Sequence, residues 1–408
     1  MKIAMKKSKR FKKALIISVI LLIVAGLSVG AYWYFNHPQT DKKAADNSAN
    51  QSLTQPNPQP EKPTDTVLHL SAMGDMLAHD TIIANAKTDD SYDFAKFFKN
   101  IKPSYEKSDI IFCNQEGLVS GEKYGISGYP SFNAPTEFAS DLDLVGCNLI
   151  NLANNHMGDK GTAAISDTID VWSALKPLGL SGANKNEADQ NKVSYATVKG
   201  VKISFVAFAD FNNVNSTPAY SVNIYHNQTL MAKLVKEAKK NADIVIVSMH
   251  WGTEDSNTVN ADQKTQVNLL SSLGVDIIIG TGPHVLQKAE VVKRSDGGRM
   301  VVWYSLGNML SSQLNINQLI GGIAGMDITK NATTNKISIS NLTFVPTYMH
   351  YEWTASQAAN GDLLSRKNAM IYLLDEATSP LSRSLFNTTV ATQKQYVVDT
   401  IGAEVTVK

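Results

Sequence analysis

The chain has only two cysteines in 408 residues, Cys113 and Cys147. A structural zinc site of the thiolate type needs clustered cysteines, so this class of metal site is excluded. The chain also lacks a Gly-x-x-x-x-Gly-Lys-Ser/Thr loop, which cradles nucleotide phosphates in many ligases. We therefore do not expect ATP-dependent ligation by this chain.

Both cysteines lie in apolar, strand-like segments. A disulfide between them is compatible with an oxidising compartment outside the cytoplasm. Free cysteines, however, are among the most often buried residues in protein cores. The apolar setting therefore favours two buried free thiols over a disulfide.

Basic charge is confined to one end of the chain. Residues 1–13 carry seven Lys or Arg and no acidic residue, and removing those charges from the total of +1 leaves about −6 for the rest. The main part of the chain therefore has no strongly basic composition, and we do not expect a nucleic-acid partner.

Residues 14–36 form an apolar run without a charge that ends in an aromatic cluster. About 20 such residues cross a bilayer, and the basic segment before them predicts a cytoplasmic N-terminus. A cleaved signal peptide is the alternative, although its apolar core is usually about 7–15 residues. We expect a single-pass protein of the cell membrane, with lipid contact through 14–36 and the main domain outside the cell.

Residues 37–66 hold no Phe, Tyr or Trp and are rich in Pro, Gln, Asn, Ser and Lys. Such a segment cannot bury a core, so it is predicted to be a flexible extracellular linker. The organised part begins at residue 67. We expect one domain over 67–320 and a β-rich extension over 321–408 that packs on the same domain.

Apolar strand-like runs alternate with helical patterns from residue 67 onward, which predicts a layered α/β fold. One of these helical patterns runs from Tyr92 to Tyr105, where apolar residues recur at helical spacing. Two predicted hairpins, turning at Lys199-Gly200 and at Asp296-Gly-Gly298, favour mixed rather than purely parallel sheets.

Polar side chains follow six of these strands. They are Asp75, Asn114 with Glu116, Asn154 to His156 with Asp159, His250 with Glu254, His284, and Asn308. Ligands and catalytic groups gather at the carboxyl ends of strands in open α/β sheets. Carboxylate, amide and imidazole donors without thiolate suit one or two divalent ions of Mn, Zn or Fe.

Each residue also has an ordinary structural interpretation. An Asp after Gly often caps a helix, and Asn residues often form turns. A single His can be a hydrogen-bonded core residue. The recurrence of such groups at strand ends, rather than any one motif, predicts the site.

The segments that carry these residues resemble a known family in their order. They are Gly74-Asp75, Asn114-Gln-Glu-Gly117, Ala153-Asn-Asn-His-Met-Gly-Asp-Lys-Gly161, His250-Trp-Gly-Thr-Glu254, Gly280-Thr-Gly-Pro-His-Val-Leu-Gln287 and Tyr304-Ser-Leu-Gly-Asn308. The series is similar to that of the CapA family, also called PgsA, of capsule and poly-γ-glutamate biosynthesis proteins. The resemblance covers roughly 68–308. It implies a fold like that of the calcineurin-like metallophosphoesterases, a layered α/β/β/α sandwich with mixed sheets and metals at the strand ends.

The resemblance implies roles for individual residues. Asp75 and His284 would bind one metal, Glu116 would bridge, and Asn155 and His250 would bind the second. His156 would polarise a leaving group or stabilise negative charge, and Asp159 would orient His156 or cap the next helix. The remaining polar residues would contact substrate: Asn114, Asn154, Glu254 and Asn308.

Two positions depart from the phosphoesterase pattern. Leu77 stands where a His usually follows the first Asp, with His79 nearby, and Gly282 replaces the first His of the last motif. Two functions therefore stay open. One is a metal-dependent hydrolase of phosphoester or amide bonds in the envelope. The other is a non-catalytic scaffold that binds an anionic polymer such as poly-γ-glutamate and the membrane-bound synthase and export proteins.

Overall fold

Two β-sheets of different size frame the molecule, and the computed structural model describes residues 64–408. The predicted cytoplasmic segment, the transmembrane helix and nearly all of the linker lie outside the described residues. Within residues 64–408, no helix is both long enough and apolar enough to cross a membrane.

The strands are numbered in chain order. They are β1 (Thr66–Leu77), β2 (Ile110–Glu116), β3 (Leu149–Asn151), β4 (Gly179–Ser181), β5 (Ser194–Val198), β6 (Val201–Ala209), β7 (Ile244–His250), β8 (Ile277–Thr281), β9 (Ala289–Lys293), β10 (Arg299–Trp303), β11 (Asn308–Leu310), β12 (Ile320–Lys330), β13 (Ile337–Glu352), β14 (Lys367–Leu373) and β15 (Thr406–Val407).

The α-helices are numbered in the same way. They are α1 (Asp80–Ala86), α2 (Glu137–Leu144), α3 (Gly161–Leu175), α4 (Glu187–Gln190), α5 (Gln228–Asn241), α6 (Ala261–Ser272), α7 (Ala355–Ala359), α8 (Thr378–Ser382) and α9 (Val390–Ile401).

Both sheets are mixed, as the sequence predicts. The first has the strand order β14-β13-β12-β1-β2-β3-β4, with β11 paired to β1 and β15 paired to β13. Strands β1 to β4 are parallel, whereas β12 runs antiparallel to β1. The second sheet has the order β5-β6-β7-β8-β10-β9, with parallel pairs at its centre and an antiparallel hairpin at each edge.

The two sheets face each other across a shared core. Ile203 and Phe205 of β6 point into this core, where the Phe205 ring lies 6.1 Å from that of Phe112 in β2. Val206 and Phe208 point the other way, into a separate cluster with apolar residues of α5 and α6. Because side chains alternate along a strand, β6 can bury both of its faces. A central strand such as β6 can therefore pack against the first sheet on one face and against helices α5 and α6 on the other.

Two hairpins form where the sequence predicts them. The first turns at Lys199 and Gly200, both with positive φ, as a two-residue turn of type I′ requires.

The prediction of a helix from Tyr92 to Tyr105 is wrong. Two short 3₁₀ segments stand there instead, Ala95–Phe98 and Lys102–Ser104, and Pro103 within the second segment removes a backbone N–H that a continuous α-helix would need.

The prediction of free thiols is also wrong. Cys113 in β2 and Cys147 just before β3 form a disulfide, with their Cα atoms 5.8 Å apart. Both side chains are buried, so the apolar setting was described correctly. Apolar surroundings do not distinguish a buried thiol from a buried disulfide, and the contact between β2 and β3 decides the pairing.

Candidate metal centre

The polar residues at the strand ends converge where the carboxyl ends of the two sheets meet. Asp75 lies in β1 and Glu116 ends β2 in the first sheet, whereas His250 ends β7 and His284 follows β8 in the second. Parallel pairing of β1 with β2, and of β7 with β8, places each pair of residues at the same edge of its sheet. The face-to-face packing of the sheets then brings the two pairs together.

Three of these residues form a compact donor group. One ligand atom each of Asp75, Glu116 and His284 lies within 4.8 Å of the others, and all three side chains are buried. His284 Nδ1 lies 3.2 Å from Asp75 Oδ2, and His284 Nε2 lies 3.8 Å from Glu116 Oε1. His284 adopts a φ of 59°, in the left-handed region, where a residue other than Gly costs about 1–3 kcal/mol. The fold therefore holds this imidazole in place against a local backbone preference.

His250 and Asn155 extend the group on its other side. His250 Nε2 lies 3.0 Å from Asn155 Oδ1 and 3.8 Å from Glu116 Oε1. His250 Nδ1 faces Thr281 Oγ1 at 3.0 Å. The predicted metal residues therefore meet in one place, with Glu116 between the two imidazoles.

Glu116 has an unusual environment for a carboxylate. Its side chain is buried, and neither oxygen has a hydrogen-bond partner among the described residues. Burial raises the pKa of Glu116 well above its usual range, and the nearby carboxylates of Asp75 and Glu254 raise it further, although His284 acts in the opposite direction. A buried carboxylate without donors is costly, and a bound cation would remove that cost.

Burial and the neighbouring charges also shift the pKa values of His284, His250 and Asp75. Burial opposes protonation of His284, but Glu116 and Asp75 raise its pKa to about 10. Burial lowers the pKa of His250 to about 4, with His284 and His156 acting in the same direction. Burial opposes ionisation of Asp75, but hydrogen bonding and charge interaction with His284 lower its pKa.

His156 and Asp159 form a pair beside the donor group. His156 Nδ1 lies 2.8 Å from Asp159 Oδ2, and the same carboxylate oxygen accepts the backbone N–H of Phe132 at 2.7 Å. Asn213 Nδ2 also approaches His156 Nδ1, at 3.4 Å. The shorter contact to Asp159 assigns the proton to Nδ1. Among residues 64–408, no side chain forms a capping hydrogen bond at the start of α3, so the geometry favours the orienting role of Asp159 over a helix cap.

Three of the four residues expected to contact substrate are instead buried in hydrogen bonds with the protein. Asn114 donates to Asp75 Oδ1 at 2.6 Å. Asn154 accepts the backbone N–H of Gly117 and of His156, and donates to the backbone at Gln115. Asn308 Oδ1 faces His284 Nδ1 at 3.1 Å, and its amide donates to Gln313 and Gln318. The three amides therefore hydrogen-bond to Asp75, to His284 and to the neighbouring backbone, and they position the centre instead of facing a substrate.

Glu254, the fourth residue, is exposed and lines an open pocket of about 380 Å³. The pocket adjoins the donor group because Asn155 and His250 belong to both. Its other lining residues are Asp210, Phe211, Trp251, Gly252, Thr253 and Gly282. Asp210 and Phe211 were missed from the sequence, although Asp210 directly follows β6 and the strand-end pattern would have included it.

The two positions that depart from the phosphoesterase pattern have clear structural settings. Leu77 is buried and pairs with Glu116 in register between β1 and β2. His79 is half-buried, with its ring edge-on to Phe132 at 5.2 Å between centroids and its Nδ1 3.4 Å from the backbone nitrogen of Ser312. His79 is therefore not part of the compact donor group. Gly282 offers its backbone N–H to Asp75 instead of a side chain.

The fold and site together define a two-sheet α/β protein with a buried cluster of carboxylate and imidazole donors at the strand ends. Residues 69–313, more than half of the chain, match the model of the family described as bacterial capsule synthesis protein PGA_cap. The chain belongs to this family.

Two curated relatives have matching descriptions. The PGA biosynthesis protein CapA of Bacillus subtilis (strain 168) is 32% identical over 260 residues, which cover 61% of this chain and 65% of that protein. The capsule biosynthesis protein CapA of Bacillus anthracis is 30% identical over 226 residues, which cover 53% and 54%. The matched region spans less than two thirds of the length of either relative.

Solved structures are similar only at a distance. A novel phosphatase from Mycoplasma pneumoniae is 13% identical with a TM-score of 0.41, covering 69% of this chain and 95% of that chain. A 5′-nucleotidase from Candida albicans SC5314 is 12% identical with a TM-score of 0.36, covering 68% and 51%. With TM-scores below 0.5, these similarities establish nothing about the chemistry of this chain.

Proposed function

We propose that this protein is a divalent-metal-dependent hydrolase of phosphoester bonds that acts in the synthesis of a bacterial capsule or of poly-γ-glutamate. One observation carries the proposal. Glu116 is buried with both carboxylate oxygens free of hydrogen bonds among the described residues, and it faces His250 and His284. This arrangement suits a cation better than it suits a protein core.

The donor set fits a divalent ion. Asp75, Glu116 and His284 would hold one ion, with Asn155 and His250 available for a second. Donor atoms around one ion lie roughly 3–3.5 Å apart, given metal–ligand distances of about 2.1 Å. The 3.0 Å between Asn155 Oδ1 and His250 Nε2 agrees with this spacing. Such ions supply Lewis acidity and lower the pKa of water, and oxygen and imidazole donors suit Mn, Zn or Fe.

The chain would contribute an oriented imidazole to the reaction. Asp159 fixes His156 with Nδ1 protonated, which leaves Nε2 as the nitrogen available to the substrate. A protonated Nε2 would stabilise charge on the leaving oxygen or donate a proton to it. Phe132 packs edge-on against this imidazole, with 4.6 Å between ring centroids, and reduces access of water.

We place the catalytic domain outside the cytoplasm, anchored in the cell membrane through residues 14–36 with the N-terminus inside. The buried disulfide between Cys113 and Cys147 supports this location, because such bonds persist in oxidising compartments. The family membership supports a role beside membrane-bound synthase or export proteins and an anionic envelope polymer such as poly-γ-glutamate.

A polymer-binding scaffold without catalysis is the second candidate. Leu77 and Gly282 favour it, because neither position supplies the imidazole that the phosphoesterase pattern places there. A site with fewer nitrogen ligands binds metal less tightly. The two candidates predict different metal contents.

The test uses the full-length chain purified in detergent and supplied with Mn²⁺ or Zn²⁺. Elemental analysis should find at least one ion per chain, and bis(4-nitrophenyl) phosphate should be hydrolysed. Glu116→Gln and His250→Ala should lose metal and lower turnover at least 100-fold, whereas the exposed control Glu187→Gln should retain both. Metal-free protein that still supports polymer export would establish the scaffold instead.

A further inference from the structure

The pocket beside the donor group is lined in part by Asp210, Phe211 and Glu254, none of which belongs to the predicted metal ligands. It opens next to His250 and Asn155, so a substrate group held at the centre would extend into it. Whatever portion of the substrate adjoins the reacting bond must therefore match this lining.

The charged groups of the lining are carboxylates. Asp210 and Glu254 both line the pocket, and no lysine or arginine is present among its described lining residues. Asp255 lies beside Glu254 and is also exposed. His226 Nε2 contacts Asp210 Oδ1 at 2.6 Å, from outside the lining. A carboxylate-bearing group entering this pocket would meet like charge, which costs several kcal/mol without a compensating partner.

Phe211 adds an apolar face to the same pocket. Its side chain is 50% exposed, unusual for a phenylalanine beside a buried polar centre. The backbone of this loop is held in place, because the N–H of Asn213 donates to the carbonyl of Asn155 at 2.9 Å. An aromatic face carries partial negative charge and attracts the C–H bonds of a ring laid against it. Carboxylates next to such a face can accept hydrogen bonds from hydroxyl groups.

We propose that this pocket binds an uncharged, hydroxylated ring, that is, a sugar residue, stacked on Phe211 and hydrogen-bonded to Asp210 and Glu254. The proposal rests on the proposed function, because it names the substrate class of the same site as a sugar phosphate ester. In the reaction, an oxygen of water forms the new P–O bond and the P–O ester bond to the sugar breaks. One proton of the water ends on the sugar oxygen. A glutamate-type carboxylate is excluded from this pocket.

The first measurement is binding to the full-length, Mn²⁺-loaded protein by calorimetry. Three probes are compared: glucose 1-phosphate, glucuronic acid 1-phosphate, which adds a carboxylate to the same ring, and methyl phosphate, which lacks the ring. We expect glucose 1-phosphate to bind at least 10-fold more tightly than either other probe. Equal or tighter binding of glucuronic acid 1-phosphate would overturn the proposal.

Variants assign the preference to named residues. Phe211→Ala should reduce the preference for glucose 1-phosphate over methyl phosphate at least 5-fold, and Phe211→Trp should restore it. Glu254→Gln and Asp210→Asn should reduce discrimination against glucuronic acid 1-phosphate. Tyr195→Ala serves as the control, since Tyr195 is an exposed aromatic of β5 outside the pocket lining. Preferences unchanged in Phe211→Ala, Glu254→Gln and Asp210→Asn would refute the assignment.

Turnover of the three phosphate esters is measured separately and bears on the proposed function. Selective binding without hydrolysis would retain the sugar pocket and reject the hydrolase. Hydrolysis of all three phosphate esters without a preference in binding would retain the hydrolase and reject the sugar pocket.

Discussion

The backbone N–H of Gly282 lies 3.3 and 3.2 Å from the two carboxylate oxygens of Asp75. Gly282 has a φ of 106°, and a Cβ built there would lie 3.0 Å from the carbonyl oxygen of Trp251 and 3.3 Å from Nε2 of His250. A side chain at 282 therefore conflicts with both backbone conformation and space. Gly282 therefore supplies a backbone N–H that hydrogen-bonds to the carboxylate of Asp75, one of the predicted metal ligands.

The first prediction concerns this glycine. Gly282→Ala should lower the free energy of unfolding by about 1–3 kcal/mol, because the left-handed conformation strains any residue with a Cβ. Gly282→His should not add a metal ligand, since a φ of 106° strains any residue with a Cβ and that Cβ would crowd Trp251 and His250. Urea unfolding and metal titration measure the two effects. A gain of metal affinity in Gly282→His would contradict this account.

The second prediction concerns the support behind His284. Asn308 Oδ1 lies 3.1 Å from His284 Nδ1, and that contact leaves Nε2 directed toward Glu116. Asn308→Ala should weaken metal binding about 10–100-fold, the usual effect of losing a partner that orients a ligand. Isothermal titration with Mn²⁺ measures this loss. The exposed control Asn227→Ala should bind metal normally, and an Asn308→Ala protein with full affinity would remove Asn308 from the site.

The third prediction separates the imidazole from the metal group. Asp159→Asn replaces the carboxylate that contacts His156 and keeps its size. We expect kcat to fall about 10–100-fold while metal content stays at the wild-type level, because general acid catalysis contributes about 10²–10⁴-fold. Steady-state kinetics with elemental analysis measure both quantities. Loss of metal together with activity would instead assign Asp159 a structural role.

The fourth prediction concerns the disulfide. Cys113 and Cys147 enclose a sequence separation of 34 residues, and the chain-entropy model gives about 4 kcal/mol for a loop of that length. The double variant Cys113→Ala/Cys147→Ala should lose about this much stability in denaturant unfolding. A reducing agent should destabilise the wild type but not the double variant. Two free thiols titrated in the denatured, unreduced wild type would show that the bond does not form.

The fifth prediction concerns acid stability. Burial lowers the pKa of His79 to about 3, with His284 and Arg366 acting in the same direction, whereas the unfolded chain protonates near 6.5. Between these values the unfolded state binds more protons, so the stability is full above pH 6.5 and decreases as the pH falls toward 3.

His79→Gln should remove part of this dependence. Urea unfolding at pH 7 and pH 4.5 should show a loss smaller by about 1–3 kcal/mol in the variant than in the wild type. The remaining pH dependence of the stability should come from the buried His250, whose pKa is lowered to about 4. The exposed His226→Gln serves as the control, and equal losses in the His79→Gln variant and the wild type would refute the assignment.

The sequence predicted local structure well where a pattern is repeated within one segment. Alternating and continuous apolar residues identified β6 and β7, and Lys199-Gly200 marked a hairpin turn. The same approach failed between Tyr92 and Tyr105, where apolar spacing suggested one helix and Pro103 interrupts it. The strand-end pattern identified the donor residues, but it did not distinguish exposed Glu254 from the buried amides of Asn114, Asn154 and Asn308.

The sequence by itself determined which chemical groups end the strands, because residue type and periodicity are properties of a local segment. The tertiary structure decided that His250 and His284 of one sheet meet Asp75 and Glu116 of the other. It also decided that Cys113 bonds to Cys147 and that Gly282 supplies a backbone donor. These contacts join segments from 34 to more than 200 residues apart. Their formation depends on how two apolar sheets pack, which no local pattern encodes.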